Sequence, residues 1–449
     1  MKQIDFEKER ILTTIFYSTF PMLVAQLLTL MYNIVDRIYI GKIPNEGVLA
    51  LSGVGICFPI STIIIAFANL FGQGGVPICA IERGKKNFQK AENIMNTSFR
   101  LLVFMGFFLT GALFYFSEPI LYLFGATENI FEYANSYYKI YILGVVFTMI
   151  TLGMNPYINA QGFPKIGMLT IFIGTVTNLI MDPIFIFKLN LGVKGAAIAT
   201  VISQILSSLF VFKFLSGNLS ELKLRKKLIY KKNEICEIIS LGSISFIMQI
   251  TNSLVQMLSN NILGIYGGDI YITIMLVINS IRQVLDVPIS AITEGISPIL
   301  SYNYGAKNYK NMKNSIIFMT AISLLYTVIV WLLILKFPKL FIGIFSDDRE
   351  VLNSGVTLLK IYFNAFIFQA LMYSSQAVFR ALKKKRQAIF FSILRKVIII
   401  VPLIIYLPKI ESIGIKGVFL AEPISNFLGG SVCFITMLIT IFFKLKEKK

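Results

Sequence analysis

The 449-residue sequence contains no histidine, one tryptophan and four cysteines (Cys57, Cys79, Cys236, Cys433), none in a CxxC spacing. Without imidazole there is no histidine proton relay or metal ligand, and neither a Ser-His nor a Cys-His nucleophile pair can be assembled. Charge is scarce as well: 14% of the residues are Asp, Glu, Lys or Arg, against about a quarter in soluble domains. Acids are the rarer sign, 23 against 42 Lys plus Arg. Few of them fall in the long apolar segments, so the chain does not read as an enzyme.

What fills the sequence instead is hydrocarbon. Hydrophobic residues make up 56%, and mean hydropathy is +0.74. An apolar helix of about 20 residues spans the roughly 30 Å membrane core. Twelve such segments occur, near 14–40, 48–71, 93–117, 134–155, 167–187, 193–215, 235–263, 270–293, 314–336, 352–378, 388–408 and 416–443. Their length argues for helices and against a β-barrel. Residues 1–10 are charged, and the first apolar segment is too long for a cleavable leader. Alternate loops carry 27 Lys and Arg on the side of both termini against 8 on the other, which predicts cytoplasmic termini. The basic residues are dispersed over short loops, so the +19 net charge reports topology and not a nucleic-acid partner.

The two halves carry the same punctuation. Gly74-Gly75-Val76-Pro77 and Arg83-Gly84-Lys85-Lys86-Asn87 recur about 221 residues later as Gly295-Ile296-Ser297-Pro298 and Tyr304-Gly305-Ala306-Lys307-Asn308. Leu123-Phe124 and Lys139-Ile140-Tyr141 recur as Ile344-Phe345 and Lys360-Ile361-Tyr362, and Gly192-Val193-Lys194-Gly195 as Gly414-Ile415-Lys416-Gly417. A duplicated polytopic chain is the mark of a transporter. The expected organisation is an N-lobe at 1–215, a cytoplasmic linker at 216–233 and a C-lobe at 234–449. Pro21 lies within the first span, where it removes a helix hydrogen bond and permits a bend. Asn155-Pro156 is read as the end of span 4.

An ionisable group at membrane depth costs about 2.5–3.5 kcal/mol on insertion scales, so each needs a reason. In the first half Asp36 and Asp182 lie well inside spans. Tyr32 shares a helix face with Asp36, and Asn178 shares one with Asp182; Thr200 follows on the next span. These hard oxygens suit Na⁺, and a pair of poorly solvated carboxylates can equally carry a proton. In the repeat Asp36 falls on Ser259, Asp182 on Leu403 and Asn178 on Ile399, so the acids are a specialisation of one lobe. The alternative is that Asp182 caps a helix end before Pro183 while Asp36 pairs with Arg37. The second half has its own set: Arg282, Asp286 and Glu294 in span 8, and Glu422 where the first half has Thr200. Arg282 and Asp286 either neutralise each other or bind substrate, and Glu294 is either a gate or a packing element. Lys139 and Lys360 recur in both halves and read as snorkelling structural residues.

Phe20-Pro21-Met22 leading to Asp36, Gly74 to Asn87, Asn178-x-x-x-Asp182-Pro183, Gly192-x-x-Gly195-Ala196-Ala197, and Glu294-Gly295 to Asn308 together resemble the multidrug and toxic-compound extrusion (MATE) family, in particular its MepA-like bacterial branch. The resemblance covers the whole chain. It implies an all-α polytopic fold of twelve transmembrane helices in two pseudo-symmetric six-helix lobes around a V-shaped cleft. It also implies antiport of organic, often cationic and amphipathic, drugs or toxic metabolites against Na⁺ or H⁺, without a cofactor. Asp36, Asn178, Asp182 and Thr200 then resemble first-lobe cation ligands with Tyr32 beside them, and Pro21 a bend in span 1. Some members carry acids in spans 7 and 10, where this chain has Gln249, Gln256, Asn260, Asn364 and Gln369, which argues against a second-lobe cation site. The expected setting is the plasma membrane of a bacterium, in a monomer. A lipid-linked oligosaccharide flippase is the alternative; it would want a strongly cationic cleft, whereas the spans hold few basic residues and those of the first half carry acids.

Overall fold

The computed structural model describes residues 3–7, 9–44, 46–225, 231–345 and 349–445. Residues 226–230 of the expected linker and the basic tail at 446–449 lie outside the described residues. The chain divides into two compact units, Met1–Phe246 and Ile247–Lys449, and the described residues contain no strand.

The first unit is built from α1 (Ile11–Gly41), α2 (Gly47–Ile56), α3 (Phe58–Gly84), α4 (Phe88–Tyr115), α5 (Ser117–Leu123), α6 (Glu128–Leu143), α7 (Val145–Ala160), α8 (Pro164–Pro183) and α9 (Gly192–Ser216). The long α10 (Lys232–Gly267) follows. The second unit continues with α11 (Asp269–Gly305), α12 (Tyr309–Lys336), α13 (Pro338–Gly343), α14 (Arg349–Tyr362), α15 (Phe366–Ala381), α16 (Lys385–Ile393), α17 (Val401–Tyr406) and α18 (Lys416–Thr440). Among the described residues ten helical spans, α2 with α3 and α16 with α17 each counting as one, are long and apolar enough to cross a membrane. Two bent pairs, α6 with α7 at 56° and α14 with α15 at 49°, bring the number to twelve. Large apolar side chains such as Phe104, Phe107 and Phe108 are exposed, as hydrocarbon-facing residues of a multi-pass membrane protein must be.

Span 4 differs from its sequence reading. It is a bent pair, and Pro156 sits inside α7, which runs on to Ala160. A membrane helix tolerates proline where neighbouring groups satisfy the freed carbonyl. Pro21, too, sits inside an α1 that runs unbroken through it.

The duplication extends to the backbone. Left-handed φ occurs at Lys86 and Lys307, at Gly162 and Lys383, and at Gly192 and Gly414. Asn87 caps α4 by accepting from the Lys90 N–H at 3.3 Å, and Asn308 caps α12 by accepting from Asn311 N–H at 3.1 Å. Asn155 Nδ2 donates across the turn to the carbonyl of Gly167 at 3.2 Å, and Gln376 Nε2 donates to the carbonyl of Ala388 at 3.1 Å. The carbonyl that ends α7, Ala160, accepts from Arg83; that which ends α15, Ala381, accepts from Ser301 Oγ at 2.9 Å. Gly195 and Gly417 stand where a Cβ would collide, with the backbone of Phe185 in one unit and with Leu407 in the other. Helix ends therefore approach backbone segments closely at equivalent points.

The polar stretch after α9 is firmly attached to the first unit. Leu222 is buried and its N–H donates to Gln161 Oε1 at 2.9 Å. The N–H of Lys223 donates to Glu92 Oε2 at 3.1 Å and that of Arg225 to Asn96 Oδ1 at 2.8 Å.

Candidate functional site

Four of the expected first-lobe residues come together. Asp36 on α1, Asn178 and Asp182 on α8 and Thr200 on α9 are all buried, and α8 packs against both α1 and α9. Asn178 Nδ2 donates to Asp182 Oδ1 at 3.2 Å and to Thr200 Oγ1 at 3.4 Å. Because carboxylate oxygens only accept, this pair of bonds fixes the Asn178 amide with its oxygen pointing the other way. The Asp36 and Asp182 carboxyls are neighbours, and Tyr32 lies near Thr200. Three buried oxygens here have no hydrogen-bond partner: Asp36 Oδ1, Asp182 Oδ2 and Asn178 Oδ1. Buried acceptors are normally paired, and these three are not.

The Arg37 guanidinium lies 4.3 Å over the Phe58 ring, and Arg37 is exposed where Asp36 is buried. Asp182 does not end its helix, since α8 passes through Pro183 into a π-turn at Ile184–Lys188. Tyr137 and Tyr141 of α6, stacked with ring centroids 5.7 Å apart, add an aromatic wall near Asp36 and Tyr32. Their abundance among 20 tyrosines hid them; the Lys-Ile-Tyr repeat was the one signal, since it holds Tyr141.

The second unit gathers a different set. Arg282 Nε lies 3.4 Å from Asp286 Oδ2, and Arg282 Nη1 lies 2.8 Å from Glu422 Oε1 and 2.7 Å from the Tyr362 hydroxyl. Asp286 Oδ1 accepts from Gln369 Nε2 at 2.6 Å, and Tyr373 donates to Oδ2 at 3.4 Å. Two further cations join, Arg395 and Lys396, on a π-turn at Leu394–Ile400 between α16 and α17. Arg395 Nη1 is 3.3 Å from Glu422 Oε1 and also donates to Asn426 Oδ1. Lys396 Nζ is 3.7 Å from Glu422 Oε2. Arg395 and Lys396 were missed in the sequence because nothing local separates them from snorkelling residues such as Lys139 and Lys360, which are exposed. Arg282 and Asp286 thus do neutralise each other in part, but within a five-charge cluster. Glu294 lies elsewhere on α11, facing Arg380, and Pro21 is buried in α1.

The MatE family model matches residues 21–184 and 245–405, the greater part of both halves. The multidrug export protein MepA of Staphylococcus haemolyticus (strain JCSC1435) is 25% identical over 368 residues, 82% of this chain and 80% of that protein. MepA of Staphylococcus aureus (strain MSSA476) is 24% identical over the same shares. Among solved structures, the outward-facing conformation of a multidrug resistance MATE family transporter of the MOP superfamily is similar in fold, with a TM-score of 0.91 and 21% identity over 100% of this chain and 99% of that one. The chain, with its duplicated all-helical membrane fold, belongs to the MatE family, a family of transporters and not of enzymes.

Proposed function

We propose that the protein is a secondary active efflux antiporter that exports amphipathic organic compounds, many of them cationic, in exchange for Na⁺ or H⁺. The coupling ion would enter the first unit at Asp36, Asn178, Asp182 and Thr200, with Tyr32 beside them. The observation that carries the proposal is that Asp36, Asp182 and Asn178, brought together on α1 and α8, each keep a buried oxygen with no hydrogen-bond partner. A proton shared between the carboxylates would satisfy two of them and leave the amide oxygen orphaned. The donor set of carboxylates, amide and hydroxyl is the hard-oxygen chemistry that a Na⁺ ion takes. Na⁺ is therefore the first reading and H⁺ the second. The MepA relatives, named as multidrug export proteins, support small-molecule export as the direction.

Export against a gradient needs ion and drug to favour opposite conformations, since a ligand shifts an equilibrium only by its differential affinity. Neutralising the two carboxylates would remove their repulsion and let α1 close on α8 and α9, with Pro21 supplying the bend. Arg282, Asp286 and Glu422 would shape substrate binding, and Glu294 with Arg380 would act as a gate. The setting would be a bacterial plasma membrane with cytoplasmic termini, the protein working as a monomer. Ethidium efflux from vesicles, driven by a Na⁺ gradient alone or by a pH gradient alone, tests the reading. Export under the Na⁺ gradient is expected; export under neither overturns antiport.

A further inference from the structure

The second unit's charge cluster does not balance. Three cations, Arg282, Arg395 and Lys396, share two carboxylates, Asp286 and Glu422. Glu422 is the common partner of all three cations: its Oε1 takes both Arg282 Nη1 at 2.8 Å and Arg395 Nη1 at 3.3 Å, and its Oε2 faces Lys396. Lys396 Nζ, 3.7 Å from Glu422 Oε2, is beyond hydrogen-bond distance of it. Asp286 cannot relieve this, because Gln369, Tyr373 and Arg282 already surround its carboxylate. The polar neutral groups of the cluster, Asn279, Tyr362 and Asn426, add no negative charge. Glu294, the other acid of α11, faces Arg380.

Basic groups thus outnumber acidic ones three to two in apolar surroundings, where buried charges are ordinarily paired. The cluster is also reachable. The Arg282 and Asp286 side chains are 15% and 19% exposed, and that of Lys396 is 11% exposed. Two guanidinium forks and an ammonium side by side are the donor set that recognises a planar carboxylate.

We propose that this cluster is an anion-accepting subsite, in which Arg395 and Lys396, together with Arg282, hold the carboxylate of an amphipathic organic ligand. The subsite deepens the efflux reading and rests on it: it names the residues that would engage the carboxylate of a transported zwitterion, apart from those that face its cationic centre. Arg395 and Lys396 would be the specificity-determining residues, with Asp286 and Glu422 holding the basic groups apart and in place. A ligand carboxylate would complete the charge balance that the protein's own residues leave open.

The test uses two dyes that differ only at the carboxyl group, rhodamine 110, the free acid, and rhodamine 123, its methyl ester. Each is titrated by fluorescence polarisation against the full-length protein in nanodiscs of phosphatidylcholine. The wild type should bind the acid about tenfold more tightly than the ester. Lys396→Met should bring that ratio to about one, whereas Lys396→Arg should preserve it. The ratio cancels any general loss of binding, and Lys396→Gln carries the same test if Lys396→Met does not fold. A wild-type ratio of one or less, or an unchanged ratio in Lys396→Met, overturns the subsite while leaving ester binding, and with it the efflux reading, intact. A protein that binds neither dye overturns both.

Discussion

Asp182→Asn isolates the contribution of one carboxylate, because asparagine matches aspartate in size. Asp182 Oδ1 accepts from Asn178 at 3.2 Å, a bond that an amide oxygen can keep, so insertion and folding should survive. What disappears is one unit of negative charge and one of the three partnerless oxygens, replaced by an NH₂ group that points its hydrogens at the place where a cation would lie. A contact to a charged group is worth about 1.5–3 kcal/mol net, which corresponds to roughly 10- to 150-fold in affinity. Binding of ²²Na⁺ to purified protein should weaken by that factor. Uphill ethidium export from vesicles should be lost at unchanged expression. If the variant binds Na⁺ as the wild type does and still exports against a gradient, Asp182 is not an ion ligand and the orphaned oxygens have another cause. Should the wild type take up protons instead of Na⁺, the same variant should abolish export driven by a pH gradient.

Pro21→Ala restores a backbone donor and should stiffen α1, slowing dye turnover several-fold while ²²Na⁺ binding persists; a wild-type rate would remove helix bending from the coupling step. Arg282→Ala and Asp286→Ala should change which compounds are exported more than whether export is coupled, read as altered resistance profiles across a panel of dyes; an unaltered profile in the double variant would make the pair structural. Gly417→Ala places a Cβ against Leu407 and Pro408, and overpacking of this kind costs about 1–3 kcal/mol; thermal unfolding in detergent should show a lowered midpoint, and no change would mean that α18 shifts freely.

Much of the fold is local and therefore legible in the sequence. A membrane span announces itself by length and hydropathy, and Asp36 and Asp182 stand out because charge inside such a span is costly. The i, i+4 spacing of Asn178 and Asp182 puts both on one helix face, and they are indeed in contact. Long-range pairing was not legible. Whether a basic residue inside a span is exposed, as Lys139 is, or buried, as Lys396 is, depends on the helix opposite. The bends between α6 and α7 and between α14 and α15 lie within continuous apolar runs, and hydropathy says nothing about direction. The π-turns at Ile184–Lys188 and Leu394–Ile400 shift helix faces by a fraction of a turn, which a regular 3.6 period cannot anticipate.

The same carbonyls are served in both halves by different donors. Ala160 takes Arg83 where Ala381 takes Ser301, and Gly167 takes an asparagine where Ala388 takes a glutamine. After the gene doubled, what each copy inherited at these turns was an unmet need of the main chain, and any side chain able to meet it would do. Selection could then retire an arginine from one copy or lengthen an amide by a methylene without disturbing the path of the backbone. The two copies were thereby free to drift apart in the charge they bury, one holding a pair of acids and the other a mostly basic cluster, while remaining the same shape.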